Sequence, residues 1–415
     1  MSAEIEISTT DGQGRVFLTW TPVKASARLL APAAAPVRVT LSNAGAAGGG
    51  LVTFYAGPAV PGVDHLQVDL PADGSPVDFW VSGTFGHPSL DYGDAVISMS
   101  AGDPAPLATC DLMVRIRKDA IKLSDAERDR FLVAMGKLND AGKGPFKAFR
   151  EMHVQASISE AHGGAAFPPW HRSYLLDLER DLQAVDSSVA LPYWRFDVPA
   201  PALFAPEFLG MPPASQSAGD FVQFPPNHPL LFWKTDNVTG IPRRPWYDIQ
   251  QAPPTVFQGG PWVISEHDTL ALSDQYAAFR GMESAPHGMA HVSFTGPISK
   301  IPTAARDPLF FLLHANVDRL WAKWQWFYKR RDPTVAATFS PSPRIGHRLN
   351  DTMWPWNGSI TPPRPTFPPP GGGMAASVLT PLPGTAPTVR SMIDYQGING
   401  GDALGFDYDD VPFER

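Results

Sequence analysis

The sequence predicts a multidomain α+β protein: an N-terminal antiparallel β-sandwich over residues 1–116, then a mainly α domain with long loops over residues 117–415. Three observations predict it. Short runs rich in Val, Thr and aromatics fill the first part, and capping signals with helical spacing begin after Lys118. Pro and Gly, 45 and 36 of 415 residues, are too frequent for an all-helical protein. A single mixed domain, with the strands packed onto helices, is the alternative arrangement. Apolar residues form 43% of the chain, enough for a sizeable core, which excludes wholesale disorder.

The expected strands cover residues 15–20, 37–41, 51–55, 77–81, 95–99 and 112–116. Several alternate with period two, and Gly, Pro or Asp clusters separate them. Regular short strands with turns between them suggest a small sandwich. The first expected helix opens with Ser124 and Glu127, a capping box. Phe131, Leu132, Met135 and Leu138 follow at helical spacing, and Gly142 ends the run. Further helices are expected near residues 145–157, 170–185, 273–282, 286–291 and 307–331. The last opens with Asp307 and Pro308, a good cap and a good first residue. Residues 196–262 and 361–388 read as loops.

Charge argues against nucleic acid as a partner. Phosphate binding needs clustered cations, and 41 acidic against 33 basic residues leave a net charge of −8. The densest basic run, Lys329-Arg330-Arg331, reads as charge at a helix C-terminus. No apolar run approaches the roughly 20 residues of a membrane span. The acidic N-terminus lacks an apolar h-region, so a cytoplasmic protein is expected, with export by another route left open. The lone Cys110 excludes an intramolecular disulfide framework or a Cys-rich metal site and reads as a buried small hydrophobe.

The histidines carry the chemistry. Six of 11 fall into two groups of three: His153, His162 and His171, then His287, His291 and His314. His65, His87, His228, His267 and His347 are scattered. The four-residue step from His287 to His291 stacks two imidazoles on one helix face. His314 shares its helix side with Phe310, Phe311 and Val317, so it faces inward. In the first group, Gly163 and Gly164 let the backbone after His162 come close. A lone histidine is most simply a hydrogen-bonded core residue; six in two matched sets point to metal. Gly288 follows His287, so the zinc-protease motif is absent. Three neutral imidazoles without a carboxylate suit copper, and two facing sites would hold a pair. Zinc in a three-histidine site is the inorganic alternative, but it leaves the second triad unexplained.

These residues sit in longer patterns. His162-Gly-Gly-Ala-Ala-Phe-Pro-Pro-Trp-His171-Arg-Ser-Tyr-Leu-Leu-Asp-Leu-Glu-Arg resembles the first copper signature of the tyrosinase and polyphenol oxidase (catechol oxidase) family. Leu191-Pro-Tyr-Trp194 is similar to the motif that follows it there. Glu283-Ser-Ala-Pro-His287-Gly-Met-Ala-His291 and Asp307-Pro-Leu-Phe-Phe-Leu-Leu-His314-Ala-Asn-Val-Asp318-Arg-Leu-Trp321 resemble the second signature. Leu404-Gly-Phe-Asp-Tyr-Asp409 is similar to the end of the family's central domain. The resemblance spans about residues 118–415 and leaves out the first 116.

The resemblance implies a type 3 dicopper centre in a four-helix bundle, with His153, His162 and His171 on one copper and His287, His291 and His314 on the other. It implies an oxidase that converts o-diphenols, and more weakly monophenols, to o-quinones with dioxygen. Its partners would be a small phenol and dioxygen, with room left for a copper chaperone. The alternatives are a haemocyanin-like dioxygen carrier with a shielded site, or an o-aminophenol oxidase. Glu283 matches a family glutamate that holds a water near the second copper, a water that would take the phenol proton; a plain helix-end carboxylate is the alternative. Gly288 stands where strong monophenolases carry Asn, so catechol oxidation is expected to exceed monophenol hydroxylation. Glu160 stands where many relatives carry a thioether-forming Cys, and Leu313 replaces a non-ligand His. Asp318 reads either as a partner of a ligand imidazole or as half of a salt bridge. Trp321, Trp324 and Phe327 read as core, and Met289, Val292 and Ile301 as the border of a substrate entrance.

Overall fold

The computed structural model describes residues 2–154, 158–215, 219–249, 263–361, 364, 373–377, 379–401 and 403–414. It is a mixed α/β protein that divides into two compact units. One comprises Met1–Arg117, Ser377–Pro381 and Asp402–Arg415; the other comprises Lys118–Ala376 and Leu382–Gly401.

The first unit holds strands β1 (Ala3–Ile7), β2 (Val16–Leu18), β3 (Val23–Leu29), β4 (Val37–Asn43), β5 (Val52–Tyr55), β6 (His65–Leu70), β7 (Val77–Gly83), β8 (Ala95–Ser100) and β9 (Ala108–Val114). They form a four-stranded sheet, β1-β3-β7-β5, and a five-stranded sheet, β2-β9-β8-β4-β6. Alternate residues of both sheets build one core, with Phe54, Phe79 and Val81 from the first and Leu41, Ile97 and Leu112 from the second. Two expectations change here. The pairing is antiparallel except for β2, which runs parallel to β9. Strands β1, β3 and β6 carry weak local signals, because β3 turns only Ala25, Ala27 and Leu29 fully inward and β1 and β6 interleave charges. Their neighbours, more than their propensity, make them strands. Cys110 is half-buried on β9, not fully buried, and burial beside Asp111 pushes its thiol up to about 11.

The C-terminal segment also departs from expectation. Residues 404–409, read as the end of the helical domain, belong to the β unit. Trp20 donates its indole N–H to the Tyr408 carbonyl at 2.8 Å, and the buried Asp407 carboxylate accepts from the Thr21 amide at 3.1 Å. The Arg117 guanidinium lies 3.7 Å from the Phe406 ring centroid. The β unit is therefore closed by chain from both ends, and excising residues 1–116 would strip Asp407 and Tyr408 of these partners.

The second unit contains α1 (Asp125–Asn139), α2 (Phe146–Met152), α3 (Ile158–Ala161), α4 (Phe167–Val185), the hairpin of β10 (Lys234–Thr235) and β11 (Val238–Thr239), α5 (Glu266–Leu270), α6 (Tyr276–Phe279), α7 (Met289–Val292) and α8 (Leu309–Phe327). The capping box forms: Ser124 Oγ accepts from the Glu127 amide, and Glu127 Oε2 accepts from the Ser124 amide at 2.9 Å. Helices α4 and α8 are buried along most of their length and pack on each other, and α1 packs on α4. The expected helix over 145–157 stops after Met152, and residues 155–157 lie outside the described residues. The segment around His287 is broken by extended backbone at Ala285 (φ −137°, ψ 121°) rather than forming one regular helix. Helix α8 ends at Phe327, and Lys329 turns left-handed at φ 55°, so the basic run lies past the helix. Trp321 and Trp324 are core, but Phe327 is 59% exposed. Among the described residues no helix is long and apolar enough to cross a membrane.

Candidate metal centre

Each histidine is placed by a different local device. His153 is the C-cap of α2, and His162 follows α3. His171 stands one turn into α4, which opens with Phe167-Pro168-Pro169; prolines are tolerated there because first-turn amides have no helical partner. His287 lies in the irregular turn Ser284–Gly288, His291 in α7, and His314 inside α8. Asp307 prepares α8 by accepting from the Leu309 amide at 2.9 Å, and it also pairs with the buried Arg243 at 2.7 Å.

The fold gathers the six side chains into the two sets expected from spacing. Within His153, His162 and His171, one nitrogen of each ring lies within 4.8 Å of the others, and the same holds for His287, His291 and His314. The sets adjoin: the rings of His171 and His314 stack at 4.2 Å with 9° between their planes. Two phenylalanines repeat the same relation, each four residues before a histidine. Phe167 lies 4.7 Å from His171 and 4.9 Å from His287. Phe310 lies 4.2 Å from His314 and 4.7 Å from His153. Each ring thus touches both sets. The sequence reading used Phe310 only as an inward marker and missed Phe167; the shared four-residue offset was the available signal.

Backbone carbonyls choose the tautomers. His171, His287 and His291 place Nδ1 at 2.9, 2.6 and 2.8 Å from the carbonyls of Phe167, Glu283 and Ile298. A carbonyl only accepts, so Nδ1 carries the proton and Nε2 keeps its lone pair. In the second set, His314 Nε2 lies 3.3 Å from His287 Nε2 and 3.1 Å from His291 Nε2. One proton on His314 could serve only one of these two contacts. In the first set, His153 Nδ1 and Nε2, His162 Nδ1 and His171 Nε2 have no hydrogen-bond partner among the described residues. Buried nitrogens left this way cost about 1–3 kcal/mol each, whereas a cation between them turns every lone pair into a bond. Burial also keeps the rings neutral. It pushes His153 down to about 3 and His291 to about 4, and it holds His162, His171, His287 and His314 well below the usual imidazole value. Two sets made of neutral nitrogens, with no carboxylate among their members, fit copper.

Glu283 sits beside both sets through its backbone and side chain. Its carbonyl holds His287, and its carboxylate accepts from the Gly163 amide at 2.6 Å and from Arg280 at 3.1 Å. Burial raises its pKa above the usual range, against the pull of Gly163 and Arg280. Asp318 is half of a salt bridge, and the partner is Arg172: Nε donates to Oδ1 at 2.6 Å with both side chains buried. The pair joins α4 and α8 next to the stacked rings of His171 and His314, and Arg172 also lies over Trp321 at 3.8 Å. Replacing Asp318 by alanine removes a carboxylate from a buried guanidinium. It is expected to destabilise the copper-free protein by about 3–5 kcal/mol, read as a lower urea midpoint; an unchanged midpoint would contradict this. Val292 and Ile301 are 37% and 46% exposed.

A family model described as the common central domain of tyrosinase matches residues 143–327. A tyrosinase from Streptomyces antibioticus is 30% identical over 264 residues, covering 58% of this chain and 93% of the relative. A tyrosinase from Streptomyces glaucescens is 31% identical over 261 residues, covering 58% and 92%. Among solved structures, a functional unit of octopus hemocyanin aligns with a TM-score of 0.45 at 22% identity, covering 72% of this chain and 69% of that one.

Proposed function

The chain belongs to the tyrosinase family of type 3 copper proteins, and from that premise we propose that it oxidises o-diphenols to o-quinones with dioxygen, acting more weakly on monophenols. It is an oxidoreductase acting on phenols, with copper as its cofactor. The observation that carries the proposal is the adjacency of two three-imidazole sets through the stacked rings of His171 and His314. His153, His162 and His171 would hold one ion, and His287, His291 and His314 the other. When bound, the two ions supply the electrons that reduce dioxygen and the Lewis acidity that favours phenolate. Two catechols each give up two electrons and two protons, and one dioxygen leaves as two waters.

The chain's own residues do the rest. Carbonyls of Phe167, Glu283 and Ile298 fix which nitrogen of each ring is free to bind metal. Phe167 and Phe310 pack apolar surface against both sets. Glu283, made more basic by burial, accepts the phenol proton. Glu283→Gln keeps an acceptor for the Gly163 amide but removes the charge, so kcat should fall at unchanged copper content. In fold terms, the reading is a β-sandwich joined to a bundle built on α1, α2, α4 and α8.

The deciding experiment compares catechol oxidation with tyramine hydroxylation on protein of known copper content. Faster catechol turnover, with a lag before any monophenol reaction, is expected from Gly288. Rapid lag-free tyramine hydroxylation overturns the catechol preference. Reversible dioxygen binding with two coppers and no turnover of any phenol would establish the carrier reading instead. Preference for o-aminophenol over catechol would establish the third.

A further inference from the structure

We infer that His347 is a positioning residue for the first copper site, closing the loop that presents His162. The inference rests on the assignment of His162 as a metal-holding residue above. His162 sits between two weak elements. The four residues of α3 make too short a helix to be stable alone, and Gly163 and Gly164 follow at once with maximal backbone freedom. Neither flanking element fixes the imidazole by itself.

The segment from Ser159 to Ala166 is instead pinned at both ends by one ring. His347 Nε2 lies 2.9 Å from the Ser159 carbonyl, and His347 Nδ1 lies 3.2 Å from the Ala166 amide. The carbonyl only accepts, so Nε2–H donates and the Nδ1 lone pair receives the amide. A single neutral imidazole thus serves as donor at the entrance of the loop and acceptor at its exit. His347 is fully buried and its bond to the Ala166 amide is shielded from solvent, while its bond to the Ser159 carbonyl is part-buried.

The shape of the loop is cut to admit this ring. A Cβ on Gly164 would stand 2.1 Å from His347 Cε1 and 2.5 Å from Nδ1. A Cβ on Gly346 would stand 2.3 Å from Glu160 Oε2, and Gly346 has φ +79°, which favours glycine. The two glycine positions therefore interlock the His162 loop with the turn carrying His347. Neighbours add to the grip: Glu160 pairs with Arg364 at 2.5 Å and accepts the Trp354 amide at 3.0 Å, and Arg344 donates to the carbonyls of Gly163 and Ser159. His347 is the member that spans the whole loop, and among the described residues its two ring nitrogens bond to backbone rather than to another imidazole. Its effect on the metal acts through backbone placement of His162.

The test is a competitive copper titration against a chelator on the full chain, reading both sites, for wild type, His347→Ala, Gly164→Ala and His347→Gln. His347→Ala and Gly164→Ala, which expels the ring, should weaken the first site about 10–100-fold, as loss of an outer partner does, while one tight copper remains per chain. His347→Gln retains one donor and one acceptor and should recover most of the loss. Hydrogen exchange at the Ala166 amide in copper-free protein should accelerate in both alanine variants and not in His347→Gln. Because Gly164→Ala keeps His347 itself, it decides the matter if His347→Ala does not fold. Two coppers bound at wild-type affinity in both alanine variants would overturn the inference alone. So would equal weakening of both sites, which marks a general structural role. Wild-type protein binding fewer than two coppers would overturn the dicopper reading and this inference with it.

Discussion

Replacing His171 or His291 by alanine is expected to abolish quinone production and to reduce bound copper from two per chain to one or fewer. The two residues belong to different sets, yet their loss should look alike, because the reaction needs both ions at once. The drop should exceed the ~10–100-fold that accompanies loss of an outer partner, since a bond to metal disappears. His171 adds a second effect. Its ring stacks on His314 at 4.2 Å, so its removal also opens the surface between the sets. Copper analysis and catechol turnover on the same preparations check this, with the near-ultraviolet band that appears on adding hydrogen peroxide as a third readout. Wild-type copper content with full turnover in either variant would end the dicopper account. Loss of one copper with full turnover would refute the need for a pair.

The second large effect is in the copper-free protein, whose stability should collapse as pH falls from about 6.5 toward 4. In the unfolded chain each histidine protonates near 6.5. In the fold, burial holds the imidazoles neutral, with His291 down at about 4, His153 at about 3 and the other four well below the usual value. The sign follows from which state takes up protons. Below pH 6.5 the unfolded chain binds protons that the fold refuses, so each step down in pH favours unfolding. The loss continues until the folded values are reached. Each such imidazole contributes up to about 1.4 kcal/mol per pH unit in that window. All six are shifted in the same direction, so their losses add against the marginal stability of a folded domain. Urea midpoints of chelator-treated protein at pH 7 and pH 5 should differ sharply, and His314→Asn should flatten the slope. A copper-free curve that stays level across this window would mean that the rings are hydrated rather than buried. Copper-loaded protein should resist acid to lower pH, because the metal holds the same neutral nitrogens that protons attack.

The histidine grouping was legible because the residues that gather metal repeat at short spacings. His287 to His291 is one helical turn, and His314 lies among Phe310, Phe311 and Val317 on the inward side of an apolar helix. The capping box at Ser124 and the long apolar helices α4 and α8 were legible for the same local reason. Spacing could not show that Ala285 interrupts the helix before His287, or that α8 stops at Phe327, before its basic run.

By itself the sequence determined the classes of element, the acidic surface that argues against nucleic acid, and the two trios of imidazoles, since each depends on residues close together along the chain. Tertiary structure decided what depends on distant partners. Strand β3, with its small alanines, becomes a strand because β1 and β7 flank it. Asp407 belongs to the β unit because Thr21 binds it across 386 residues of sequence. Asp318 is committed to Arg172, and His347, one of five scattered histidines, becomes the clasp of the His162 loop. The physical reason is the same in each case. A buried donor or charge must find a partner of the right polarity, and which partner it finds is set by how the chain closes on itself, a property no local window of sequence contains.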